Sequence, residues 1–153
     1  MKGKRKFIVL LVIAMLFLLG WCVDTVRARD FTIEIVSVSP DVGIADGQTP
    51  VTMQLRVSRN GTPCEDHILY AVSLNGGSFR AKRVTTDENG LATFIYYPYF
   101  KSELNELTDV TLQFVDESNS LFIAVPAELE MVLPMAEPDN KQSENLTNED
   151  MFG

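Results

Sequence analysis

Two patterns of apolar residues divide the chain into an N-terminal segment and a body. Residues 7–23 (FIVLLVIAMLFLLGWCV) are 17 consecutive residues without a charge, directly after the basic residues 2–6 (KGKRK). From residue 31 onward apolar and polar residues alternate instead, most regularly in VTMQLRVS at residues 51–58. A continuous apolar run of this length predicts a helix, whereas alternation predicts half-buried strands. The sequence therefore predicts one N-terminal helix followed by a β domain.

The N-terminal helix is predicted to enter a membrane. Positive charge before the apolar run holds that end in the cytoplasm and directs the rest of the chain outward. The run is about 25 Å long, short for a full crossing, yet it exceeds the usual apolar core of a signal peptide. We favour an uncleaved signal anchor at residues 1–23, with residues 7–23 in the membrane. The alternative is a signal peptide cleaved after Ala28, with Val26 as the second small residue of the site. Both interpretations export the body.

The body is predicted to be all-β. Its turns are marked by Asx-Gly pairs, which tolerate the positive φ of tight turns. Seven or eight short strands without an amphipathic helix of useful length indicate a β-sandwich or barrel. Pro126 has no amide hydrogen for a strand ladder, so it divides the last apolar stretch or marks an edge. The predicted strands are residues 31–35, 51–58, 68–74, 79–85, 91–97, 108–115 and 121–133.

The same patterns set the domain boundaries. Residues 24–30 are predicted to be a connector, and residues 31–134 the β domain. Residues 101–107 (KSELNEL) are the single helical candidate within the domain. Residues 135–153 are too polar and acidic to pack, which predicts a disordered tail.

Several short motifs, taken together in their order and spacing, resemble a known family. The motifs are ADGQTPV at 45–51, LRV at 55–57, NGTP at 60–63, GSF at 77–79 and TTDENGLAT at 85–93. They resemble the bacterial immunoglobulin-like domain, group 1, of the invasin and intimin type, over residues 36–97. Cys64 departs from that pattern, because the family usually has valine there. The resemblance implies an immunoglobulin-like β-sandwich.

That resemblance, joined to a membrane segment only seven residues away, predicts a role in the cell envelope. Domains of this type usually occur as stacked spacers in long adhesins, and one copy beside a bilayer does not reach far. We expect an accessory subunit of a bacterial envelope or surface complex that binds or assembles with a protein partner. The alternative is a secreted adhesion or carbohydrate-binding module, cleaved after Ala28.

The charged and polar residues narrow the chemistry. Acids outnumber basic residues by 21 to 13, which argues against a nucleic-acid partner, since such binding needs a basic footprint. Zinc needs three or four His, Cys, Asp or Glu ligands, and the exported body has one histidine and one cysteine. Asp87 and Asn89 imitate the start of a calcium loop, but position 12 of that loop is Pro98, so a turn is favoured. We predict no metal, no cofactor and no catalytic residue.

Cys64 and His67 are the one candidate for catalysis. A thiolate beside an imidazole can act as a nucleophile with its base, but the sequence shows no third group to orient the pair. A thiol-dependent enzyme is therefore the third and least favoured interpretation. Because Cys22 lies in the membrane segment, Cys64 has no partner within the exported body. An intermolecular disulfide through Cys64 is a second hypothesis.

Residues 96–100 place four aromatic rings in five positions, Tyr96, Tyr97, Tyr99 and Phe100. Strict alternation does not bury all four. Tyrosine is enriched at interfaces, so these residues are the predicted interaction patch. The alternative is a well-packed end of the sandwich with half-buried tyrosines.

Overall fold

The computed structural model describes residues 2–102 and 108–138. The described part begins with one helix, α1 (Lys2–Ala28), and continues with ten strands. Seven of these strands have three or more residues, in agreement with the all-β prediction. The strands are β1 (Phe31–Ser39), β2 (Gly43–Ile44), β3 (Val51–Arg59), β4 (Thr62–Pro63), β5 (Ile68–Ser73), β6 (Ser78–Phe79), β7 (Arg83–Thr85), β8 (Leu91–Tyr97), β9 (Asp109–Asp116) and β10 (Ala127–Ala136).

Helix α1 is longer than the apolar run that predicts it. Within its segment Arg5–Ala28 the most apolar 18 residues have a mean hydropathy of 2.6, and the helix is long and apolar enough to cross a membrane. Residues 24–28, assigned to a connector from the sequence, are helical. No glycine or proline interrupts residues 21–28, and Asp24 and Arg27 of this last part contact the folded body. The helix therefore runs directly into the domain.

The strands form two sheets that pack face to face. The first has the order β1-β3-β8-β6, with β4 paired to the end of β3. The second has the order β2-β10-β9-β5-β7, in which only the short pairing of β2 with β10 is parallel. This arrangement corresponds to the A-B-E-D and G-F-C sheets of an immunoglobulin-like sandwich.

The core lies between the sheets, where the alternating apolar residues of each strand meet. Strand β3 alternates as predicted, and all four of its apolar side chains are fully buried. Phe79, Phe94 and Phe114 form a ring cluster between the sheets, with centroids 5.4 to 5.7 Å apart. Such tilted and edge-to-face contacts are the favourable arrangement for aromatic rings.

Two predicted strands are wrong in part. Residues 79–85 are not one strand: β6 belongs to the first sheet and β7 to the second, so residues 80–82 cross between them. Residues 121–126 are not a strand: the amides of residues 121–123 and 125 bond to side chains and not to a neighbouring strand. Strand β10 starts only after Pro126 and runs to Ala136, two residues beyond the predicted end of the domain. The helical candidate falls mostly on residues 103–107, and most of the predicted tail on residues 139–153. Both lie outside the described residues.

Candidate interaction surfaces

The sandwich has two ends with different surroundings. At the end that follows α1, here called the helix end, lie Phe31, Arg59, Asp116 and Ala127. The opposite end, here called the far end, carries the loops around residues 45–50, 74–77 and 97–101. Strands of eight to ten residues separate the two ends. At about 3.3 Å per residue, the far end is roughly 30 Å from the helix end.

The helix end is joined to α1 by a buried carboxylate. Asp24 is fully buried, and its side chain accepts hydrogen bonds from the backbone amides of Leu121 (2.8 Å), Phe122 (2.7 Å) and Ile123 (2.6 Å). Residues 119–125, here called the junction loop, thus pack along one face of the helix. Hydrogen bonds to an ionised acceptor are shorter and stronger than neutral ones. This contact fixes the helix and the loop to each other.

Arg27 adds a second link between α1 and the domain. Its Nε donates to the backbone carbonyl of Asn119 at 2.9 Å. The Asn119 side chain is fully buried and donates to the carbonyl of Val125 at 3.1 Å, which closes the junction loop on itself. The guanidinium groups of Arg27 and Arg59 both lie over the ring of Phe31, 5.5 and 5.4 Å from its centroid. The helix and the first strand are therefore held as one unit.

Gly20 allows the junction loop to approach the apolar part of α1. A Cβ at this position would lie 3.2 Å from the Cβ of Phe122, tighter than usual packing. Phe122 and Leu121 nonetheless stay 70% and 60% exposed, beside the exposed apolar face of the helix. The sequence did not single out Asp24 or the junction loop. The sequence signal of this loop is the apolar segment LFIAV between Ser120 and Pro126, a pattern that predicts a strand.

At the far end, the four predicted aromatic residues separate into two groups. Tyr96 and Tyr99 are buried in the core, Tyr97 is half-buried, and Phe100 is 68% exposed. A surface of four rings is therefore absent, and the alternative of a well-packed end describes the tyrosines better. Alternation turns Tyr96 inward, and the buried Pro98 is followed by a second inward ring. Phe100 is left on the surface, where it is paired with Asp46 in an isolated bridge.

Tyr96 is the anchor of this end. Its hydroxyl donates to the carbonyl of Gly76 at 2.7 Å. A Cβ at Gly77, where φ is +71°, would lie 2.2 Å from that hydroxyl oxygen, so only glycine fits there. Burial raises the pKa of Tyr96 to about 12, and burial also raises the pKa of Tyr99. The tyrosines therefore stay neutral and structural at physiological pH.

Cys64 and His67 lie at the helix end in separate contacts. The Nδ1 atom of His67 is 2.8 Å from the carboxylate of the buried Asp116, and its ring packs against Phe31. The Sγ atom of Cys64 lies 3.8 Å from the carbonyl oxygen of Thr62. Burial, with the charge of Asp116, raises the pKa of the Cys64 thiol. Asp116 is thus a third group that orients the imidazole, and the sequence did not single it out. A raised thiol pKa does not activate Cys64 as a nucleophile.

The acidic stretch at residues 87–90 forms a turn between the two sheets. The Oδ1 atom of Asp87 accepts hydrogen bonds from the backbone amides of Asn89 and Leu91, both at 2.8 Å. Gly90 has φ of +70° and its carbonyl accepts from Val57 at 2.8 Å. This carboxylate oxygen is thus already hydrogen-bonded to the backbone of the turn. Among the described residues, no group of three or more His, Cys, Asp or Glu side chains is placed to hold a metal ion.

Comparisons with known proteins bear on the fold. No protein-family model and no curated protein matches the chain. It is similar to the D00-D0 domain of intimin, with a TM-score of 0.51 and 14% identity, over 69% of this chain and 48% of that one. The chain thus spans about half of that intimin fragment. A conjugative transposon lipoprotein from Bacteroides eggerthii matches with a TM-score of 0.46 and 18% identity, over 68% of this chain and 96% of its own. Together with the strand order of the two sheets, the first comparison shows that the body has the immunoglobulin-like fold of the invasin and intimin type.

Proposed function

We propose that this chain is a membrane-anchored, extracytoplasmic immunoglobulin-like module of a bacterial envelope. Its helix α1 stays attached and crosses the cytoplasmic membrane, and the sandwich faces outward. Its role is to bind a protein partner, as an accessory subunit of a membrane-associated or surface complex, and it performs no catalysis. The observation that carries this proposal is the junction between α1 and the domain.

The junction supports an uncleaved anchor because cleavage would leave the domain incomplete. Removal of residues 1–28 takes away both Asp24 and Arg27. The amides of residues 121–123 and the carbonyl of Asn119 would then lose the side chains that they bond. Polar groups that lose a buried partner are costly. A signal peptide that is discarded has no reason to carry such contacts.

The far end supports the protein-binding part of the proposal. It is the part of the sandwich most distant from α1, and it presents Phe100 and Leu74 to the surroundings, with 68% and 55% of their area exposed. Aromatic side chains are enriched in protein interfaces, which favours Phe100 as the contact residue of this end. The predicted patch thus contracts from four rings to Phe100, with the half-buried Tyr97 beside it.

An intact-mass measurement on the exported protein tests the anchor. The protein is purified from bacterial membranes through a C-terminal tag, and its mass is compared with that of the full chain. We expect residues 1–28 to be retained. A mass that lacks them would contradict the anchor and favour the secreted adhesion or carbohydrate-binding module.

Photo-cross-linking in cells tests the partner surface. A photoreactive phenylalanine analogue replaces Phe100 at the far end, and in a matched control it replaces Thr93, an exposed residue on the face of β8. We expect a cross-linked protein adduct at position 100 only, and a smaller native complex in a Phe100→Ser variant. Equal adducts at both positions, or none, would contradict a binding surface at the far end.

A further inference from the structure

We propose that the junction loop inserts into the outward-facing leaflet of the membrane beside α1, so that the sandwich sits on the bilayer in one fixed orientation. This inference rests on the proposed anchor, because it needs α1 in the membrane. The partner of the exposed Leu121 and Phe122 is then the lipid itself. Three features of the junction carry the inference: depth, backbone bonding and charge.

The depth follows from the contact with Gly20. Phe122 packs on Gly20, and the two lie with Leu16, Phe17 and Ile123 around one apolar cleft. The uncharged run of the helix continues past Gly20 to Val23. Three residues of helix rise about 5 Å, so Phe122 lies at least that far inside the level where the apolar run ends. A side chain at this level faces hydrocarbon.

Several backbone groups of the junction loop are bonded within the protein, as membrane depth requires. Irregular backbone is tolerated inside a bilayer only where its polar groups find partners in the protein. The amides of residues 121–123 bond to the Asp24 carboxylate, and the Val125 amide bonds to the Ser120 hydroxyl at 2.9 Å. The Val125 carbonyl accepts from the Asn119 side chain. Four amides and two carbonyls of the loop, those of Asn119 and Val125, therefore have partners within the protein, while Leu121 and Phe122 point outward.

The charges above the loop match a lipid headgroup layer. A second cleft at the junction has apolar residues on the side of the membrane segment, Val23, Val26 and Leu121, and Arg27 and Arg59 on the side of the domain. The Arg59 side chain is 45% exposed and lies 3.5 Å from the carboxylate of Asp30, which lines the same cleft. Arg29 is exposed nearby and adds to the positive charge. Arginines just outside an apolar belt favour anionic headgroups. The order of apolar loop, arginines and sandwich thus follows the order of hydrocarbon, headgroups and water.

Site-specific fluorescence quenching tests the insertion. The full chain carries Cys22→Ser and Cys64→Ser, and one new cysteine is labelled with a nitrobenzoxadiazole probe. Three labelled variants, Phe122→Cys, Leu74→Cys and Leu10→Cys, are placed in vesicles of phosphatidylethanolamine and phosphatidylglycerol. Leu74 is the matched control, an exposed apolar residue at the far end, and Leu10 reports whether α1 is in the bilayer.

We expect lipids with a nitroxide on the acyl chain to quench the probes at positions 122 and 10 several-fold more than the probe at position 74. Aqueous iodide should show the reverse order. A quenched position 10 with a position 122 that is as open to iodide as position 74 would overturn the insertion and leave the anchor standing. An unquenched position 10 would overturn the anchor, and the insertion with it. Near-ultraviolet circular dichroism of the buried tyrosines verifies that each variant is folded.

Discussion

Replacing Asp24 with alanine removes the acceptor of three backbone hydrogen bonds at once and tests whether this carboxylate holds the junction loop. Bonds to a charged group are worth about 1.5–3 kcal/mol each. The freed amides can recover part of their bonding from water, so we count the loss as two bonds at the lower value. The junction is then weakened by about 3 kcal/mol. That loss corresponds to roughly 100-fold more frequent local opening.

Amide hydrogen exchange measures this opening directly. The full chain in a mild detergent is compared with Asp24→Ala, and we expect about 100-fold faster exchange in residues 119–125, because exchange follows local opening. Asp46→Ala is the matched control. Asp46 also accepts three hydrogen bonds, from the amides of Gln48 and Thr49 and from the Thr49 hydroxyl, but at the far end. It should loosen residues 46–49 and leave the junction loop unchanged.

The reasoning fails if the junction loop exchanges no faster in Asp24→Ala than in Asp46→Ala. In that case the packing of Phe122 on Gly20 would hold the loop without the carboxylate. An Asp24→Asn variant refines the result, because its amide keeps one acceptor oxygen of the two. Exchange intermediate between the parent chain and Asp24→Ala is expected from the number of bonds that remain.

Three further predictions concern stability and reactivity. Gly90→Ala should destabilise the domain more than Gly61→Ala in urea unfolding. Both variants lose about 1–2 kcal/mol because alanine disfavours a positive φ. Gly90→Ala loses about 1–3 kcal/mol more, because its Cβ would lie 2.4 Å from the Val57 carbonyl oxygen, whereas nothing lies within 4 Å at Gly61. Equal losses would contradict the close approach. The folded-state pKa of Tyr96, about 12, lies above the ordinary value of 10.0, so its contribution is complete below pH 10 and is lost as the pH rises towards 12. Thermal melts should show a loss of about 2 kcal/mol over that range. The loss should be absent from Tyr96→Phe, and a similar loss in that variant would contradict the assignment. In a Cys22→Ser background, Cys64 should react with iodoacetamide at neutral pH more slowly than an ordinary thiol, since its pKa is raised; faster reaction would revive the thiol enzyme.

The sandwich could be predicted because the sequence patterns that specify its strands and turns extend over only a few consecutive residues. The alternation in β3 and the turn residues at 89–90 each describe a few consecutive positions, and the burial of β3 follows that pattern residue by residue. The junction could not be predicted in this way. Asp24 bonds to residues 121–123, which follow it by 97 to 99 positions in the chain, and no sequence pattern near Asp24 predicts that contact. A short apolar run such as LFIAV does not by itself distinguish a buried strand from a loop with another apolar neighbour.

The aromatic run shows the same limit at the far end. Four rings in five positions told where apolar area is concentrated, but not which rings face the core. Alternation along β8 turns Tyr96 inward, but room for its hydroxyl comes from Gly76 and Gly77, 20 and 19 residues earlier in the chain. Tyr99 lies beyond the end of β8, where alternation no longer applies. Two of the four residues of the predicted patch, Tyr96 and Tyr99, therefore lie in the interior. Phe100 remains the residue on which the partner hypothesis depends.

The junction also limits what a partner can reach. If α1 and the junction loop are both held in the bilayer, the sandwich does not swing on a flexible connector, and the far end stands at a constant height of about 30 Å above the helix end. Phe100 then contacts partners at that height, whereas Cys64, at the helix end, meets only partners close to the membrane. An intermolecular disulfide through Cys64 and a contact through Phe100 would thus involve different partners, or different parts of one elongated partner. Double labelling of a single complex at both positions distinguishes these two arrangements.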